Sequence, residues 1–213
     1  MPRFTPTTPD GLTELLTRSL RPLDGHRVVG VDGADAARPS EFARRAADRV
    51  RADGRAADTV SLHDFVRPAS LRMEFGRDEI AYRTGWFDYS ALQREVLDSI
   101  HHAGIWLPAL WDEAADRSAR IHRRTALPAT VLFVAGPMLL GRGLPFDRTI
   151  RLDLSAAALT RGTPAEQAWT VPALLAHDRE HSETPDHFVR WDHPDRPALR
   201  SDPNPPSRDT AGR

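Results

Sequence analysis

The segment Val28-Val29-Gly30-Val31-Asp32-Gly33-Ala34-Asp35-Ala36-Ala37-Arg38-Pro39-Ser40 has the spacing of a phosphate-binding loop but not all of its side chains. Such a loop reads G-x-x-x-x-G-K-[S/T]: the glycines let backbone N–H groups wrap the phosphates, and the lysine reaches the β and γ oxygens. Gly33 and Ser40 hold the outer positions, Arg38 stands where the second glycine belongs, and Pro39 stands where the lysine does. Nothing else can supply the ammonium, because all 29 basic residues of the chain are arginine. Proline removes a backbone donor along with the cation, and a Cβ at Arg38 narrows the approach that glycine leaves open. Pro39 still suits the first turn of a helix, where a missing N–H costs little. The expectation is a degraded nucleotide site at Gly33, Arg38 and Ser40. The opposing expectation is that the Arg38 guanidinium, a planar fork suited to phosphate, takes over the lysine's role.

Other residue groups suggest other chemistries. His177-Asp178-Arg179-Glu180-His181 matches the inverted zinc-protease pattern H-x-x-E-H, with Glu183 nearby as a further ligand, although nine histidines in a chain rich in acids produce so short a pattern easily. His101 and His102 follow Ile100 at a helix end, where they suit the helix dipole. Arg117, Arg120, Arg123 and Arg124 form a basic cluster beside Asp112, Glu113 and Asp116, which reads as a self-compensating exposed hairpin. There is no nucleophile-elbow serine signature.

The elements that must position these groups alternate between strand and helix. A capped amphipathic helix begins at Asp10, with Leu12, Leu15, Leu16 and Leu20 on one face. Arg27–Val31 reads as a strand, followed by the glycine turn and a helix from Pro39 to Ala52 stopped at Gly54. Thr59–Leu62 is a second strand leading into His63-Asp64-Phe65-Val66-Arg67-Pro68. Ser90 opens a helix carrying Leu92, Val96 and Ile100, and Ile105–Arg124 reads as an irregular hairpin. Thr130–Val134, nearly all apolar, is expected at the centre of a parallel sheet covered on both faces. Thr149–Asp153 is a fourth strand, Thr163-Pro164-Ala165-Glu166 a capping box opening a helix to Asp178, and His187–Trp191 the last strand. The alternation predicts an α/β fold with a mainly parallel central sheet in three layers.

Composition bounds the rest. At 213 residues the chain fits one domain able to bury roughly 70% of its unfolded surface. A net charge of −1 and a pI near 6.8 offer no field for nucleic acid or an anionic membrane. With no cysteine there are no disulfides, thiolate metal sites or cysteine nucleophiles. No apolar N-terminal run suggests a leader or span, so the expected location is the cytoplasm. The abundance of arginine and alanine, with Asn204 as the single asparagine, suggests a GC-rich genome, so scattered arginines carry little functional information.

Taken together these motifs resemble the uridine kinase-like group of P-loop kinases, in particular its actinobacterial members. The likeness covers about residues 20–200 and rests on motif order: Gly30-Val31-Asp32-Gly33 before a helix, His63 to Pro68 after the second strand, Phe87-Asp88-Tyr89 opening a helix, Val131 to Gly136 ending the central strand, and Trp191-Asp192-His193-Pro194. It implies domain bounds of 1–24 for an N-terminal helix, 25–200 for the kinase-like unit and 201–213 for a disordered tail. In the family the first residue after the second strand is an acid acting on the acceptor hydroxyl; here it is His63, followed by Asp64. Either serves as base under the resemblance, or Asp64 simply caps the turn. The resemblance also implies that Asp88 holds ribose hydroxyls and that Arg77, Tyr82, Arg83 and Phe87 line the substrate site. The alternative is that Asp88 caps the next helix, that Phe87 belongs to the core, and that the segment carrying Arg77, Tyr82 and Arg83 is a solvated loop.

Two further parts differ from the family. The central strand ends in Ala135-Gly136, where relatives place a magnesium-holding acid before the glycine, and the lid region Ala156–Thr170 has Arg161 as its single cation. Arg142 and Arg148 are the candidates to compensate. The expectation is a pseudokinase binding a nucleoside-like ligand or a protein partner through the Asp64 to Tyr89 face. The alternative is an active nucleoside kinase, with ATP and magnesium as cofactors and Arg38 as substitute cation.

Overall fold

The computed structural model describes residues 3–21, 23–74 and 76–201. Seven strands form one sheet: β1 (Arg3–Pro6), β2 (Arg27–Asp32), β3 (Ala57–Ser61), β4 (Val131–Gly136), β5 (Arg148–Asp153), β6 (His187–Arg190) and β7 (Ala198–Ser201). Their order across the sheet is β1-β7-β6-β5-β2-β4-β3. The five strands from β6 to β3 run parallel, while β7 and β1 add antiparallel at the edge. β4, expected at the centre, is an interior strand one place from the edge, between β2 and β3; its apolar sequence fits because both faces are covered and all six of its residues are buried.

Alternation along the strands sorts side chains into two layers. Val29 and Val31 of β2 and Val131, Phe133 and Ala135 of β4 pack beneath α1 (Pro9–Leu20) and α2 (Pro39–Ala52). Val28, Leu132 and Val134 face the other layer, formed by residues 62–111, α4 (Ala156–Gly162) and α5 (Val171–Glu180). In that layer α3 spans residues 89–103, with a π-helical stretch Gln93–Asp98 between two α-helical ends. It stops at Gly104, whose φ of 63° is the left-handed cap that glycine adopts without strain.

Several boundaries differ from the sequence reading, each for a local reason. Thr8, not Asp10, caps α1 by accepting from the Gly11 amide at 3.0 Å. The helix expected from Thr163 begins at Val171, because Ala165–Thr170 winds as a tighter 3-10 turn and Thr163 bonds back to Leu159. α4, capped by Ser155, was not foreseen. β1 and β7 were not foreseen either; four residues each, they pair only with one another and with β6. The irregular hairpin is present as two nested ribbons, Ile105–Trp106 with Arg124–Thr125 and Trp111–Asp112 with Arg117–Ser118. Apart from Ser201, the expected disordered tail lies outside the described residues. No helix among the described residues is long and apolar enough to cross a membrane.

Candidate functional site

Parallel strands bring the ends of β2, β3, β4 and β5 to one edge of the sheet, where successive connections diverge and open α/β folds place their ligands. The loop after β2 sits there, and three of its amides are already bonded, two of them within the loop. Gly33 N–H donates to Gly136 C=O at 3.1 Å, Ala37 N–H to Ala34 C=O at 2.8 Å and Arg38 N–H to Asp35 C=O at 2.9 Å, so Asp35–Ala37 forms a 3-10 turn. Pro39 opens α2 and has no amide hydrogen to offer. Arg38 has φ 54° and ψ 53°, the left-handed conformation that a glycine would occupy without cost. Its side chain is 77% exposed and 3.6 Å from Glu41. The Ser40 carbonyl accepts from Arg44 at 3.4 Å.

His63 and Asp64 follow β3 in a second 3-10 turn, which Ser61 caps by accepting from the His63 amide at 3.2 Å. His63 lies between two carboxylates: Nε2 is 3.0 and 3.1 Å from the two oxygens of Asp35, and Nδ1 is 3.0 Å from Glu113. A ring that donates from both nitrogens is an imidazolium. Partial burial works against that charge, but the two carboxylates outweigh it and lift the pKa to about 10. The ring remains 35% exposed, so solvent screens part of the effect. Burial raises the Asp64 carboxyl above its usual range, opposed by its bond to the Ser61 backbone.

The other residues expected at a substrate site are engaged elsewhere. Tyr82 and Phe87 are buried, in an aromatic cluster with Trp86 and Trp169 at centroid spacings of 4.9–5.6 Å. Asp88 caps α3, accepting from the Ala91 amide at 2.9 Å and the Ser90 hydroxyl at 3.1 Å. Arg83 pairs with Glu79 and Glu180, and Arg77 is exposed. Arg142 stacks 4.5 Å from the Tyr89 ring, where burial pushes the phenol pKa up. The basic hairpin residues do not balance their own neighbours: Arg123 pairs with Glu95 and Arg124 with Asp58.

Sequence reasoning missed the charges that matter most at this edge. Asp32, buried at the end of β2, accepts from the Leu139 amide at 2.8 Å and pairs with Arg151, which meets Asp178 at 2.6 Å. Burial, reinforced by Asp178 and Asp192 against the pull of Arg151, raises Asp153 to about 6. The available signal was the polar series Thr149, Arg151, Asp153 at alternate positions of the strand, with apolar Ile150 and Leu152 between them, which puts three polar groups on one covered face. Glu113 and Asp35 carried no such pattern.

Of the H-x-x-E-H residues, the His177 and His181 rings lie 4.9 Å apart, but the glutamate does not join them. His177 Nε2 is 2.8 Å from the Leu140 carbonyl and Glu180 is held by Arg83. Among the described residues no group of three or more histidine or acidic side chains is placed to hold a metal ion. Beside the loop lies a cleft of about 330 Å³ lined by Asp35, Arg38, Thr163, Gln167, Thr170 and Leu174, among others. Its lining combines two charged groups, Asp35 and Arg38, with three neutral hydrogen-bonding side chains, Thr163, Gln167 and Thr170, among small and apolar residues.

Solved structures of similar shape decide the architecture. A candidate fructose transport system kinase from Silicibacter sp. TM1040 superposes with TM-score 0.67 at 20% identity, covering 84% of this chain and 98% of that one. A candidate uridine kinase from Bacillus stearothermophilus superposes with TM-score 0.62 at 16% identity, covering 79% and 91%. This chain has the uridine kinase-like P-loop fold. No family model matches the sequence, and no curated protein matches it. The Gly33–Ser40 turn joins β2 to α2 in this fold.

Proposed function

We propose that this chain is a kinase-fold protein that does not transfer phosphate and instead binds a small neutral molecule, nucleoside-like in its hydrogen bonding, beside the loop. The observation that carries this reading is the Asp35 carboxylate, held on the loop by His63 at 3.0 and 3.1 Å. Phosphoryl transfer depends on positioning and charge neutralisation of the phosphates. A carboxylate on the loop works against both: the single His63 cation is shared between Asp35 and Glu113, so the group keeps a net negative charge beside the loop, and like charges 4 Å apart repel by about 1 kcal/mol in water.

Other features act in the same direction. The amides of Ala37 and Arg38 are spent on loop carbonyls, Pro39 has none, and Ala135 gives magnesium no ligand. The cleft of about 330 Å³, with Thr163, Gln167 and Thr170 on its wall, is at the small end of ligand sites, which start near 300 Å³. Its neutral donors and acceptors suit hydroxyl and amide groups better than a triphosphate. The balanced charge of the chain supports a ligand free in solution over nucleic acid or membrane, and a cytoplasmic setting belongs to the same reading.

The second reading is an ATP-dependent nucleoside kinase with Arg38 as the cation and Asp64 or His63 as base. It draws on the exposed Arg38 guanidinium, whose one ion-pair contact is 3.6 Å long. Calorimetric titration separates the two. The binding reading expects saturable heat with uridine or adenosine and none with Mg-ATP; saturable Mg-ATP binding abolished by Arg38→Ala, with phosphate transferred to a nucleoside, would establish the kinase.

A further inference from the structure

A second cleft, of about 500 Å³, opens away from the loop between residues 67–74 and 78–85. Its walls carry Leu71 and Ile80, 56% and 70% exposed, two of the four large apolar side chains left in solvent among the described residues. Isolated exposed apolar residues need no explanation, but two on opposite walls of one cleft mark a place that an apolar group can fill. The wall formed by Ala81–Gly85 is π-helical, a conformation that is rare and recurs at functional sites.

The cleft also holds cations whose partners are incomplete. The Arg72 side chain is only 7% exposed and lies 5.3 Å from the Trp86 ring centroid. It donates to the Arg67 carbonyl at 3.1 Å and to the Glu113 carbonyl at 3.4 Å, but its nearest carboxylates, Asp116 and Glu113, stand at 3.7 and 3.9 Å, beyond hydrogen-bond length, and its Nε is buried with no hydrogen-bond partner. The Arg67 guanidinium beside it has no ion-pair partner among the described residues. A buried, under-paired guanidinium is costly, and an added carboxylate compensates it through short charge-assisted bonds. Glu74 and Asp78, also on this cleft, hold its total charge near zero and so disfavour polyanions such as nucleotides.

We infer that this cleft is a binding site for a small monocarboxylate with an apolar body, its carboxylate at Arg67 and Arg72 and its chain between Leu71 and Ile80. The inference is independent of whether the loop binds phosphate.

Calorimetric titration of the full chain with octanoate below its micelle concentration tests it, with octan-1-ol as the uncharged counterpart. The expected result is saturable one-to-one binding of octanoate, weakened roughly tenfold or more both for octan-1-ol and in Arg67→Ala, as follows from losing a hydrogen bond to a charged group. Arg67 is only half-buried, so this variant stays folded where one at Arg72 need not. No saturable heat with octanoate, equal affinity for octan-1-ol, or unchanged affinity in Arg67→Ala would each overturn the inference.

Discussion

His63 Nε2 donates to both oxygens of Asp35, at 3.0 and 3.1 Å, and this contact ties the end of β3 to the loop after β2. It places a carboxylate on the turn between β2 and α2. Glu113 on the other ring nitrogen extends the tie to the hairpin.

The tie makes stability depend on pH in a definite direction. The folded pKa of His63 is about 10, above its unfolded value near 6.5. Its stabilisation is therefore complete below pH 6.5, declines as pH rises, and is lost above pH 10. Urea midpoints measured from pH 6 to 10 should fall for the wild type relative to His63→Gln. The difference at the acid end should be about 1 kcal/mol, given the exposure of the ring. Parallel pH profiles for the two proteins would show that the contact does not hold.

Arg151 should be far less tolerant of change. It lies between buried Asp32 and Asp178, and Arg151→Ala leaves an uncompensated charge inside the sheet layer. Denaturation should show a loss of about 3–5 kcal/mol. Asp32→Asn combined with Arg151→Met should cost less than the sum of the single changes, because neither partner is then left charged alone. Strict additivity would contradict the triad.

Arg38→Gly tests the loop backbone apart from its charge. Relief of a left-handed non-glycine residue should raise unfolding stability by up to about 1 kcal/mol, the steric gain exceeding the entropic cost of glycine. The same variant should still not bind Mg-ATP, since Asp35 and Pro39 remain.

Much of the architecture could be read from the chain, and the reasons are local. Val131–Val134 announced a strand covered on both faces because such a strand needs an unbroken apolar run, although it lies one place from the sheet edge and not at its centre, and Gly33 before Pro39 announced the turn into α2. β1 and β7 could not be read, since two edge strands of four residues present neither a long apolar run nor a turn signal between them. Part of the proposed site was legible: the departures at Arg38 and Pro39 are read from motif spacing, and the one at Ala135 from the resemblance to uridine kinase-like proteins. The partners of His63 were not, because Asp35 and Glu113 lie 28 and 50 residues away from it and meet it only through the fold. Asp88 shows the opposite case: its local bond to the Ala91 amide is the helix cap that sequence spacing offered alongside the ligand role implied by motif order.

Zinc content offers a further check. With His177 bonded to the Leu140 carbonyl and Glu180 to Arg83, elemental analysis of the protein purified without chelator should find well under one zinc per chain. Stoichiometric zinc removed by His177→Ala would contradict this packing.

The most direct measurement is a crystal of the chain soaked with Mg-ATP at millimolar concentration. The loop described above predicts no ordered β or γ phosphate along Gly33–Ser40, with the Asp35 to His63 contact intact. A triphosphate seated against those residues, with Asp35 swung away from His63, would contradict the central claim.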